Sequence, residues 1–188
     1  MTASPNGLDD VHEEARRELK RWVGLYQQLG VGETSWVYRS FADLLADHGH
    51  YQAPAPWVHG GKQRPGRCFE TASRWAEQEG WLYVEGLAYA PSAAPFSCFE
   101  HAWCLTADGL VADPSLPDGV ATGYLGVPLT RAFRRQQQAA RGTSAVLVSD
   151  PVNPFAGNND RVLRTGLPEH ALAHPRSGPM SGCKGRGR

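Results

Sequence analysis

The chain has 188 residues, 41% of them hydrophobic, with six each of Trp, Tyr and Phe, which suits one domain with a substantial core. Nineteen basic residues balance nineteen acidic ones, so the surface as a whole is not a general polyanion binder, although a local basic patch is compatible with that sum. The first residues lack a basic segment followed by an apolar run, and no stretch reaches the roughly 20 apolar residues of a membrane helix, so the expectation is a soluble cytoplasmic protein without a membrane partner, its four cysteines reduced.

Residues 1–7 are polar and are expected to be flexible. From Leu8 to Leu29 the pattern is helical: Val11, Ala15, Leu19, Trp22 and Tyr26 recur every three or four residues, and Gly30 suits the stop. A second helix is expected from Glu33 to His48, with Trp36, Val37, Phe41, Leu44 and Leu45 as its buried face, which makes residues 8–50 a helical region. Residues 50–67 read as a loop rich in Pro and Gly, long enough to suggest that it serves a site. A third helix follows from Cys68 to Gln78, closed by Gly80.

The period then becomes extended. Trp81 to Ala90 and Phe96 to Thr106 read as strands, Ala107-Asp108-Gly109 as a hairpin turn, and Leu110 to Asp113 as a third strand. A short strand near Tyr124, a polar helix from Thr130 to Arg141 and a last strand from Ser144 to Ser149 complete an α+β core over residues 51–150. Residues 151–174 read as a loop extension and 175–188 as a disordered tail of Pro, Gly, Ser and Arg.

Three residues stand in settings that suit a thiol nucleophile. Cys68 opens a helix, where the backbone N–H groups and the helix dipole favour a thiolate and could hold an oxyanion. His101 lies on a strand, and Asp113 follows it by 12 residues across the tight hairpin, near enough in register for side-chain contact. An imidazole that moves a proton needs its other nitrogen held, which is the role open to Asp113. Taken singly, each has an ordinary reading: a buried cysteine, a structural histidine, a turn-forming Asp before Pro. The spacing Cys98-x-x-His101-x-x-Cys104 also looks like a metal site, but strand alternation puts 98 and 104 on one face and 101 on the other, so neither a metal nor another cofactor is expected.

The words Gly66-Arg67-Cys68, Tyr83-Val84-Glu85-Gly86, His101-Ala102-Trp103 and Val111-Ala112-Asp113-Pro114-Ser115 resemble the core of transglutaminase-like proteins, within the papain-like cysteine hydrolase superfamily. The resemblance covers roughly residues 57–127. It implies a helix carrying Cys packed on a small antiparallel sheet, here with extra N-terminal helices. It also implies Cys68 as nucleophile, His101 as general base and acid, and Asp113 as the orienting carboxylate. A weaker echo, Arg64-Pro65-Gly66-Arg67-Cys68-Phe69-Glu70, is similar to a segment of arylamine N-acetyltransferases, with Pro65 where that motif has a glycine. For the side-chain oxyanion donor the nearby candidates are Gln63 and Trp57, neither at a spacing that matches.

The function expected is acyl transfer through a thioester, with a peptide, protein or small amide or ester as substrate and water or an amine as acceptor. Two other classes compete: a non-catalytic binding or scaffold protein that keeps the fold, and a nucleic-acid binder using Arg131, Arg134, Arg135 and Arg141 on one helix with the Arg-rich tail, the first three sharing one helix face. For those arginines a solvated helix face is the preferred reading.

Overall fold

The computed structural model describes residues 5–29, 34–57, 59, 66–150 and 157–174, with side chains from residue 9 onward. The helices are α1 (Pro5–Gln28), α2 (Phe41–His48), α3 (Cys68–Glu79), α4 (Arg131–Arg141) and α5 (Asp160–Thr165). The strands are β1 (His50–Gln52), β2 (Leu82–Tyr89), β3 (Cys98–Leu105), β4 (Val111–Ala112) and β5 (Gly123–Leu129). All five strands join one antiparallel half-barrel sheet in the order β1-β5-β2-β3-β4, so the chain is α+β. None of the helices among the described residues is long and apolar enough to cross a membrane.

β2 is the middle of the sheet. It pairs along its length with β3 on one side and β5 on the other, and seven of its eight residues are buried. Such a strand shows no polar alternation because both of its faces are covered. Leu87 and Tyr89 point into the main core with Cys98, Ala102, Val127 and the helices, whereas Val84 and Ala88 join Trp103, Leu105 and Tyr124 in a smaller core on the reverse face. β2, β3 and β5 approach so closely that a Cβ at Gly86 would meet Leu125 O at 2.0 Å, and one at Gly126 would meet the Trp103 ring at 2.5 Å.

Several expected elements differ. The expected flexible N-terminus lies outside the described residues over 1–4, and α1 begins at Pro5, three residues before the expected Leu8. Ala15 and Leu19 anchor α1, while Val11 is 40% exposed. The second helix starts at Phe41, not Glu33. Ser40 caps it, accepting from Asp43 N, and the Val37 and Tyr38 N–H groups donate instead to Arg164 O and Leu163 O. β1, read as loop, is a three-residue edge strand too short to show a period. In place of a loop, the 151–174 extension contains α5 and a bridge from Leu129 to Leu172; residues 151–156 and the tail at 175–188 lie outside the described residues.

Residues 144–149 do not form a strand. Ala145–Val148 are fully buried, and the N–H groups of Val146, Leu147 and Val148 all donate to the Glu85 carboxylate in the middle of β2. One carboxylate thus satisfies the buried amides that a neighbouring strand would otherwise pair. The arginine face of α4 is solvated only in part: Arg131 and Arg135 are exposed and Arg134 is buried. Arg131, Arg134 and Arg135 converge on Glu77 of α3, and Arg134, 2% exposed, also donates to Ser73 O at 2.7 Å.

Candidate active site

The hairpin that joins β3 to β4 sets the geometry of the site. Thr106 N donates to Leu110 O, Gly109 N donates to Thr106 O, and Gly109 takes a left-handed φ of 77° that a side chain would resist. The ladder pairs Cys104 with Ala112 and Leu105 with Val111, so Asp113, the next residue, lies level with Trp103 and diagonal to His101. The two are diagonal rather than direct neighbours, and a diagonal pair still brings a ring and a carboxylate together. His101 Nε2 and Asp113 Oδ2 are 2.8 Å apart, with both side chains buried.

β4 is two residues long and pairs β3 only at 104 and 105. Among the described residues, the edge of β3 at His101 therefore has no strand beside it. Gly66, Cys68, Ser115 and Leu116 come in there, and with Phe99, Glu100 and Ser149 they enclose a cavity of about 300 Å3 around Cys68 and His101. Gly66, at φ 81°, turns the chain into α3. Cys68 is the first residue of that helix, and Arg67 before it makes no side-chain cap. The first intrahelical bond is Thr71 N to Arg67 O, so the N–H of Cys68 is one of the donors a helix leaves free at its start.

The two oxygens of Asp113 divide their work. Oδ1 accepts from Ser115 N at 2.8 Å and Leu116 N at 3.2 Å, the turn-forming role that Asp before Pro suggests. Oδ2 accepts from Tyr124 OH at 2.9 Å as well as facing His101. Burial alone would raise this carboxyl; the adjacent His101 charge and these hydrogen bonds outweigh it and hold it low. For His101, burial pulls the value down, but the Asp113 charge and hydrogen bond and the interaction with Cys68 lift it to about 10. That shift favours the imidazolium at neutral pH. With Nε2 on Asp113, Nδ1 is the nitrogen left for Cys68.

Glu100 reaches solvent with part of its side chain, yet the cavity wall desolvates its carboxyl and, with the Glu85 charge, lifts it to about 7. Ser115 is 5% exposed, and its Oγ has no hydrogen-bond partner among the described residues. Tyr124, Ser115 and Glu100 carry no local motif. Only the Asp-Pro-Ser word pointed near one of them.

The structure brings Cys68 and His101 to one cavity, with Asp113 held behind His101, and does not bring Trp57 there. The Trp57 ring packs 5.0 Å from Trp75 and 6.4 Å from Trp81, beside the C-terminal half of α3. Its backbone N donates to Asp118 at 3.0 Å. An indole held in that cluster cannot face Cys68, two helical turns away from Trp75. Gln63 lies outside the described residues. Cys98 and Cys104 point into the main core, where Cys104 Sγ donates to Ala72 O at 3.2 Å, while His101 lies on the other face beside Trp103 and Tyr124. Burial pushes both thiols up to about 12. No family model matches the chain, and neither a curated protein nor a solved structure does.

Proposed function

We propose that the protein is a cysteine-dependent acyl-transfer enzyme with a papain/transglutaminase-like arrangement, Cys68 its nucleophile, His101 its general base and acid, and Asp113 the carboxylate that orients His101. The observation that carries this reading is an imidazole held by a buried Asp and a thiol at an uncapped helix N-terminus, both on the wall of one cavity, with the Asp113 charge raising the imidazole. Those are the two conditions that favour a thiolate, an adjacent cation and a helix start.

Cys68 Sγ adds to the carbonyl carbon of an amide or ester, forming the C–S bond and placing negative charge on the carbonyl oxygen. The Cys68 N–H and the Ser115 hydroxyl are the donors available to that oxygen. Collapse breaks the C–N or C–O bond, and His101 gives its proton to the leaving amine or alcohol. Water or an amine then adds to the thioester, losing its proton to His101, and the C–S bond breaks to regenerate the thiolate.

The test uses iodoacetamide and p-nitrophenyl acetate on wild type, Cys68→Ala, His101→Ala and Asp113→Asn. Fast alkylation confined to Cys68, a nitrophenolate burst of one equivalent, and an acetyl group on Cys68 by mass spectrometry are expected for wild type only. A Cys68 that reacts at the rate of free cysteine, unaltered by the His101 change, would leave the non-catalytic binding role in its place.

A further inference from the structure

The N-terminal helices build a second cavity beside the strand that carries His101. The end of α1, α2 with the turn before it, β3 and α5 bound a cleft of about 700 Å3, walled by Trp36, Phe41, Leu87, Phe96, Phe99 and Leu163. Phe99 and Glu100 line both this cleft and the thiol cavity, so the two chambers meet at the start of β3. At its edge Phe96 is 76% exposed and Leu29 is 65% exposed, apolar surface that no described element covers.

Resting on the reading of Cys68 as nucleophile, we propose that this cleft is the acyl-side subsite, and that it takes an aromatic side chain of a peptide whose carbonyl lies at Cys68. Three features choose that occupant. Cavities of roughly 300–1,000 Å3 hold drug-sized groups, and an acetyl group would leave this one almost empty. Its charged walls are Arg39 against Glu100 and Asp160, so a polyphosphorylated acyl carrier finds one cation and two carboxylates. Arg39 and Glu100 also give the wall a donor and an acceptor within reach of a peptide backbone, which an alkyl chain would not use. The N-terminal helical region thereby acquires a role: α1 and α2 supply a wall that the sheet and α3 alone do not.

The test measures alkylation of Cys68 in the full chain by three chloromethyl ketones carrying acetyl-Gly, acetyl-Phe or octanoyl groups, with iodoacetamide as the probe that needs no cleft. In each case Sγ bonds to the methylene carbon and the halide leaves. The acetyl-Phe reagent is expected to react at least about ten-fold faster than the acetyl-Gly reagent, the value of burying one aromatic group. Phe96→Asp and Leu29→Asp, both on exposed side chains, should remove most of that advantage while the iodoacetamide rate stays at the wild-type value. Equal rates for Phe and Gly, an octanoyl rate above the Phe rate, or an advantage that survives both substitutions would overturn the subsite with Cys68 still reactive. A slow iodoacetamide reaction would instead overturn the nucleophile itself.

Discussion

Replacing Glu77 by Gln should cost about 2–3 kcal/mol of folding stability, and two routes through the structure bracket that figure. Glu77 is 26% exposed and gathers three guanidinium groups, of which Arg134 is 2% exposed. The Arg135 hydrogen bond first, then Arg131 and Arg134, overcome desolvation and hold its carboxyl at about 2 instead of 4.5. At 1.36 kcal/mol per pH unit, that is ~3 kcal/mol, trimmed toward ~2 by solvent screening. From the other partner, stranding a buried guanidinium costs about 3–5 kcal/mol, with the low end fitting because Arg134 keeps its bonds to Ser73. With m near 1–3 kcal/mol/M, the urea midpoint at pH 7 should fall by about 1–3 M. The carboxyl is depressed in the fold, so its contribution is present above pH 4.5 and disappears as pH falls toward 2. Wild type and variant should therefore converge over that window. The double variant Glu77→Gln/Arg134→Met should recover part of the loss, since it removes the stranded charge. A midpoint change below about 0.3 M, or a double variant weaker than the single, would refute the idea that this cluster clamps α4 to the helix of Cys68.

Tyr124→Phe removes one donor from Asp113 Oδ2 and should slow Cys68 acylation by p-nitrophenyl acetate about ten-fold, with unchanged secondary structure by circular dichroism. Ser115→Ala should reduce the same acylation by roughly 10–100-fold and leave iodoacetamide alkylation unaltered, because only the ester reaction develops an oxyanion. The raised His101 contributes stability that is complete below its unfolded value of 6.5 and is lost as pH rises toward 10. Wild type should accordingly weaken across that window by a few kcal/mol in urea titrations, and His101→Ala should lack that slope.

The parts of this molecule legible in the sequence are those whose partners are close along the chain. The helix at Cys68 ends at Gly80 with φ 69°, and His101 meets Asp113 because a short hairpin spans the twelve residues between them. The parts that were not legible depend on remote partners. Val146 finds Glu85 61 residues away, and Arg134 finds Ser73 at the same separation. No local period announces a charge in the middle of a buried strand, and an apolar run such as Ala145–Val148 reads as a strand until its amides are found on a carboxylate. Trp57 was misread for the same reason, since its partners Trp75 and Trp81 come from beyond the loop that suggested it as a donor.

The buried charges share a destination. Glu77 ties α4 to α3, Arg141 at the end of α4 donates to Ala145 O and Val148 O, and Glu85 holds the amides of 146–148, so the chain reaches Ser149 on the cavity wall in a fixed register. Apolar packing alone does not forbid that run from sliding, whereas a carboxylate aimed at particular amides does. Glu85→Gln tests this, because it keeps the volume and turns one oxygen into an NH2 that faces donors. The loss of a charge-assisted bond, about 1.5–3 kcal/mol, should appear first as faster hydrogen exchange at Val146–Val148. Burial raises the Glu85 carboxyl above its unfolded value, so this group's own contribution weakens as pH rises from 4.5, opposite in sign to that of Glu77. If the wall is set by this carboxylate, Cys68 acylation by p-nitrophenyl acetate should slow in Glu85→Gln while alkylation by iodoacetamide changes little. Faster exchange with unaltered acylation would make Glu85 a stabiliser of the 144–149 segment with no hold on the cavity.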